Sequence, residues 1–387
     1  MPKHPFLLSL ILLAVLVLPS PTAAQEAPTQ AYLVYVVSET TDEVSLLRFG
    51  PDGARVEKQF PTGIMPTDVD GPHGLDVAPG GEHYYVSLGH GKPYGSVWKY
   101  RAGDDAVVGQ VTLGLFPATL DVSPNGQFAY VVNFNLHRDM VPSSVSVVAT
   151  ELMIELTRIP TCTMPHGSRL NPQGTRHYSA CMMDDMLVEI DATTFKVARH
   201  FVLTEGTMEG RNGAPYPHAT TERTREPAAT HTPTMPMTIT CSPTWAQPSH
   251  DGGAIFVACN KSNEIVEIDA ASWAVTRRIP AGEGVYNLGV TSDGRLLIAS
   301  NKRGQSASVF DIASGRELAR LPTKRKVVHG VAVSPDNRYA FISVEGVGDA
   351  PGTVEMIDLE SLKTIATVDV GHQAAGLDVW KRVPASE

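Results

Sequence analysis

The sequence predicts an all-β protein, a seven-bladed β-propeller whose ring is closed by N-terminal strands pairing with the C-terminal inner strand. Three observations predict it. A hairpin-like motif recurs seven times, copies ahead of the last lead into apolar β-runs, and no long segment shows the helical spacing of apolar residues. The clearest copies are Gly71-Pro-His-Gly-Leu-Asp-Val-Ala-Pro-Gly-Gly81, Phe116-Pro-Ala-Thr-Leu-Asp-Val-Ser-Pro-Asn-Gly126 and Met164-Pro-His-Gly-Ser-Arg-Leu-Asn-Pro-Gln-Gly174. Further copies begin at Val285 and Val328, a degenerate one spans 235–243, and a last one, 374–379, closes the chain. The copies join a short inner strand to a turn typified by Ser-Pro-Asp/Asn-Gly, in which proline supplies a fixed φ and the last residue a positive one. A third strand ending in acid follows, as in Leu187-Val-Glu-Ile-Asp191, and then a fourth. Four strands at a period of roughly 43 to 49 residues is blade spacing.

Taken in order, the chain of 387 residues begins with Lys3, an apolar run over 6–18 and small residues at Thr22-Ala-Ala24. Residues 1–24 therefore read as a secretory signal peptide, and 25–387 as one propeller domain. Ahead of the first Pro-His-Gly only three strands are available, at 32–37, 43–49 and 55–60. The final stretch, 375–381, offers one more of inner type. Pairing the two ends removes exposed strand edges. One interval breaks the period: residues 203–234 are polar, rich in Thr, Pro, Glu and Arg, and join an outer strand to the next inner one on the face of the channel mouth. They are expected either to act as a lid or to form a surface excursion.

The repeats resemble the YVTN-repeat propellers, the YncE-like group of exported bacterial proteins. The likeness rests on the Pro-x-Gly hairpins, the Tyr-Val-like second strands and the Val-x-x-Ile-Asp third strands over about 32–381. It implies a seven-bladed ring and a binding role, and it is specific for fold more than for function.

Aligning the copies on Val77, Val122, Leu170, Cys241, Val290, Val333 and Val379 puts one residue per blade at the channel mouth. These are His73, Ala118, His166, Met237, Tyr286, His329 and Ala375. Two readings stand side by side. His73, His166 and His329, with Met237, suit copper or zinc, because imidazole and thioether are ligands for those ions. Alternatively they are ordinary channel-lining side chains. His90, His372 and Met164 belong to the same face. Asp76, Asp121 and Asp378 recur one position before the inner-strand valine, which suggests bonding to neighbouring backbone. Four cysteines in an exported chain permit three pairings, of which Cys162–Cys181 and Cys241–Cys259 fit the strand ends best.

The formal net charge of −10, with no basic cluster beyond 324–326, disfavours a nucleic-acid partner. No apolar stretch after the leader is long enough for a membrane span. No Gly-x-Ser-x-Gly elbow, phosphate-cradling loop or haem-attachment motif occurs. The leading expectation is an exported module, periplasmic or extracellular, that engages a protein or small-molecule ligand at the channel mouth. The alternatives are a copper- or zinc-dependent oxidoreductase or metal-handling protein, and a structural protein of the cell envelope.

Overall fold

A computed structural model describes residues 27–65, 68–90, 94–215 and 238–385. The signal-peptide reading of 1–24 lies outside these residues. Seven separate antiparallel sheets form the blades, and the first six each run in chain order from the inner strand outward. The inner strands of blades 1 to 6 are Pro72–Val77, Pro117–Val122, Pro165–Leu170, Pro243–Pro248, Val285–Val290 and Val328–Val333. Blade 7 is composite: Ala374–Pro384 is innermost, followed by Gln30–Ser38, Glu43–Gly50 and Gly53–Pro61. Leu33 pairs with Lys381 and Val36 with Leu377, so the two ends close the ring as the sequence predicts. Among the described residues no helix is long and apolar enough to cross a membrane.

The core lies between blades, where apolar faces of neighbouring sheets meet. Blades 7 and 1 share Tyr35, Tyr84 and Tyr100, stacked at 4.2 and 5.0 Å between successive ring centroids. Offset stacking of this kind adds to the gain from burial.

Polar side chains fix each blade to the next near the axis. On one face, Asp76 accepts the Val122 N–H at 2.7 Å, Asp121 that of Leu170 at 2.5 Å and Asp378 that of Val77 at 2.9 Å. These aspartates therefore hold the backbone of the adjacent inner strand. On the opposite side, a hydroxyl from one blade donates to the carbonyl of the next blade's Pro-x-Gly residue: Thr244 to Tyr286 at 2.8 Å and Ser300 to His329 at 2.7 Å. The glycine of the motif is needed because a Cβ at Gly74 would stand 2.3 Å from Ala118 O, and one at Gly167 2.3 Å from Thr244 O.

The fourth blade corrects the alignment made from sequence. Its inner strand is Pro243–Pro248, so Cys241 precedes it and the channel residue is Thr244, not Met237. Trp245 replaces the glycine and Pro248 the valine, which disguised the true copy, Ser242-Pro-Thr-Trp-Ala-Gln-Pro-Ser-His-Asp-Gly252. Met237 lies outside the described residues.

The described part of the 203–234 insertion follows the outer rim. Arg211–Asn212 pairs with His200 and Arg199 as a fifth, outermost strand of blade 3, and Glu209 bridges to Ala274 of blade 4. There it satisfies backbone groups of a sheet edge, away from the mouth. Residues 216–237 lie outside the description. Both disulfides form. Cys162–Cys181 links the last strand of blade 2 to the second of blade 3, and Cys241–Cys259 ties the approach to blade 4 to that blade's second strand.

Candidate functional site: the channel mouth

Three once-per-blade positions build the mouth. The residue before each inner strand is left-handed: Gly71, Phe116, Met164, Ser242, Gly284, Val327 and Gln373 have φ between 48 and 68°. This turn swings the chain inward and aims the Pro-x-Gly residues at the axis, where they form a floor of His73, Ala118, His166, Thr244, Tyr286, His329 and Ala375. The residue following the second strand of each blade forms the wall: Phe134, Met182, Asn260, Lys302, Glu345 and Glu39, with Gly89 at the seventh place. The basin they enclose measures about 1420 Å³, counting the open solvent at its top.

The floor is a hydrogen-bonded cluster. His73 packs against His329 and His166 with ring centroids 5.3 and 5.7 Å away, and Tyr286 lies 5.2 Å from His166 and 5.0 Å from His329. His166 Nδ1 is 3.0 Å from Thr244 O, and a carbonyl only accepts, so that nitrogen carries the proton. Its Nε2 then accepts the Tyr286 hydroxyl at 2.9 Å. Burial, and then the neighbouring His73, pushes His166 down to about 3, which keeps the ring neutral. Burial and the Lys302 charge likewise hold His329 well below the usual histidine range.

Glu39 joins the floor to the wall. Only 6 % exposed, it receives His73 Nδ1 at 3.0 Å and His90 Nε2 at 2.9 Å. Burial works against its charge, yet the two imidazoles outweigh that effect and hold the carboxyl well below its ordinary range. The same bond raises His90. Because Glu39 occupies Nδ1 of His73, the opposite ring nitrogen, Nε2, is left buried and without a hydrogen-bond partner among the described residues. On the other side, Lys302 sits 4.2 Å above the Tyr286 ring and 2.7 Å from Glu345. Burial opposes the ammonium charge, but Tyr286 and Glu345 raise its pKa overall.

Beneath the floor is a small cavity of about 20 Å³, bordered by His73, His329, Arg169, Trp245 and Asn287. Trp245 Nε1, Asn287 Oδ1 and His329 Nδ1 have no hydrogen-bond partner among the described residues, as with His73 Nε2. Buried polar atoms are ordinarily satisfied, so this cluster suits small polar occupants.

Of the residues singled out from sequence, His73, His166, His329 and Tyr286 meet at the floor, and His90 joins them through Glu39. Met164 is buried in the packing between blades 2 and 3, and His372 offers its carbonyl to Thr40; neither lines the basin. Among the described residues no group of three or more His, Cys, Asp or Glu side chains is placed to hold a metal ion. The wall went unnoticed. Its signal was available, since the residue after each Tyr-Val-like strand is also a once-per-blade position.

Comparison with known proteins yields likeness of fold. No family model matches the chain. Hydrazine synthase of Kuenenia stuttgartiensis superimposes with a TM-score of 0.60 at 21 % identity, over 81 % of this chain and 90 % of that one. A functionally unknown protein from Desulfotomaculum acetoxidans DSM 771 superimposes with a TM-score of 0.67 at 13 % identity, covering 90 % and 98 %. In sequence, Autophagy-related protein 18 of Meyerozyma guilliermondii is 36 % identical over 85 residues, 20 % of this chain. The match spans only 14 % of that relative's length. At these identities the structural neighbours establish the β-propeller fold, which serves widely as a binding scaffold.

Proposed function

We propose that this protein is an exported binding module whose ligand, a small molecule or a segment of a protein, seats in the channel mouth. The carrying observation is His73 Nε2: a buried ring nitrogen, oriented by Glu39, with no hydrogen-bond partner among the described residues, on a ring that borders the floor of an open basin. A fixed polar group in a concave, partly apolar pocket is the ordinary anatomy of a ligand site. Export is supported by the leader-like residues 1–24 and by two disulfides, which persist in oxidising compartments. Thermal unfolding against a metabolite and peptide collection tests the seat, since a ligand that binds only the folded state raises Tm. Hits should lose their effect in His73→Ala and in Tyr286→Phe. Hits that stabilise parent and variants equally would move the site elsewhere.

A second reading is supported by the same dyad. A carboxylate on one imidazole nitrogen with the other left free is the outer-shell arrangement found behind metal-bound histidines. On that reading His73, His166 and His329 hold copper or zinc, and Tyr286 releases His166 on loading. Elemental analysis of protein purified without a histidine tag, beside the triple alanine variant, decides it. Near-stoichiometric metal in the parent alone supports a metal centre, and no metal in either after incubation with copper removes it.

A further inference from the structure

The mouth is polarised, and its polarity selects a class of ligand. Phe116, Phe134, Leu136 and Met182, from blades 2 and 3, make one side apolar. Lys302, Arg303 and Lys326, from blades 5 and 6, stand across the channel from them. The two carboxylates of the basin are already answered, Glu39 by His73 and His90, Glu345 by Lys302. Arg303 spends its shorter bonds on the neutral Asn260 and Asn263, with the exposed Glu283 further off at 3.6 Å. Lys326 is exposed and has no ion-pair or side-chain hydrogen-bond partner among the described residues. On a chain of formal charge −10, one flank of this basin therefore keeps an excess of positive charge. Local fields of this kind draw in ligands of opposite sign despite the net charge.

Resting on the mouth as the seat, we propose that the ligand is a small organic carboxylate with an apolar body. Its carboxylate faces Arg303 and Lys326, its hydrocarbon or aryl portion lies on Phe134, Leu136 and Met182, and a hydroxyl or amide donor on that body can satisfy His73 Nε2. An apolar surface on one wall and cations on the opposite wall favour a molecule with those two ends. They disfavour a compact inorganic anion, which would leave the apolar wall wet, and an amine, which would meet the cationic flank.

The test uses the mature protein and matched probes in titration calorimetry: hexanoate and 4-hydroxybenzoate, their amides, hexylamine, and acetate. The carboxylates should bind at least tenfold more tightly than their amides, while acetate and hexylamine bind most weakly. Lys326→Glu, an exposed substitution, should cut carboxylate affinity about tenfold and leave the amides unchanged. Phe134→Ser should weaken acid and amide together. Equal binding of acid and amide, or preference for the amine, overturns the ligand class while the mouth remains the seat, provided His73→Ala and Tyr286→Phe abolish that binding. If no probe binds in a manner sensitive to those two variants, this proposal fails. The broader seat then stands or falls on the unbiased thermal screen.

Discussion

His177 is fully buried on the second strand of blade 3, stacked on Tyr130 at a centroid distance of 4.9 Å, and neither ring nitrogen has a partner among the described residues. Burial pushes its pKa down to about 3. The unfolded ring titrates near 6.5, so between these values the unfolded chain binds the extra proton and stability falls as pH drops. By pH 5 the loss from this one ring is about 2 kcal/mol. Three half-buried aspartates work in the opposite direction. Asp121, raised to about 6, and Asp76 and Asp378, also raised, take up protons in the folded state and gain stability as pH falls through that region. The two effects overlap, and a variant separates them: in His177→Phe, the fall in urea stability from pH 7 to pH 5 should shrink by about 2 kcal/mol. An unchanged fall would mean that His177 takes up its proton in the folded protein as readily as in the unfolded chain. At this scale the sequence disclosed the floor of the mouth because His73, His166 and His329 stand inside a recognisable motif. Glu39, Lys302 and Glu345 stayed hidden because they follow strands whose pattern ends just before them, and because Glu39 meets His73 only through ring closure.

Each blade begins with a left-handed residue, and five of the seven are not glycine. For a β-branched side chain that conformation costs roughly 1–2 kcal/mol, which makes Val327, at φ 68°, the most strained of the set. Relief of strain and the added freedom of the unfolded chain nearly cancel in Val327→Gly, so its stability should stay within about 1 kcal/mol of the parent. Val328→Ala, one residue on and fully buried, should lose about 2 kcal/mol by chemical denaturation. A larger loss at 327 than at 328 would show that the side chain, not the turn, matters there. The disulfides are element-scale features too. They close loops of 19 and 18 residues in sequence, and removing either pair as Cys→Ala should cost about 3 kcal/mol by loop entropy. Their pairing was legible because cysteines fell at strand ends sharing one face. The fourth blade was not legible in register: Trp245 and Pro248 occupy places that glycine and valine hold elsewhere, and a Met-Pro-Met stretch upstream imitated the motif.

At the scale of the molecule, the seven-fold repetition and the shortage of strands at the N-terminus were enough to predict both the ring and its closure. Ala374–Pro384 is the innermost strand of blade 7 and lies against blade 1 as well as Gln30–Ser38. Ending the chain after Gly371 should therefore abolish cooperative unfolding, whereas beginning it at Tyr32 removes two pairing residues and should shift Tm by only a few degrees. Similar Tm values for the two truncations would show that the ring closes without the innermost strand of blade 7.

Composite closure also sets an order in time. Glu39 is made early, but the sheet that carries it to His73 is complete only when the last residues of the chain are available, since Gln30–Ser38 must pair with Ala374–Pro384 across the whole sequence. Long-range pairing of this kind comes late in folding. The mouth is consequently finished last: an incomplete chain can carry all three histidines and still lack the carboxylate that orients the first of them.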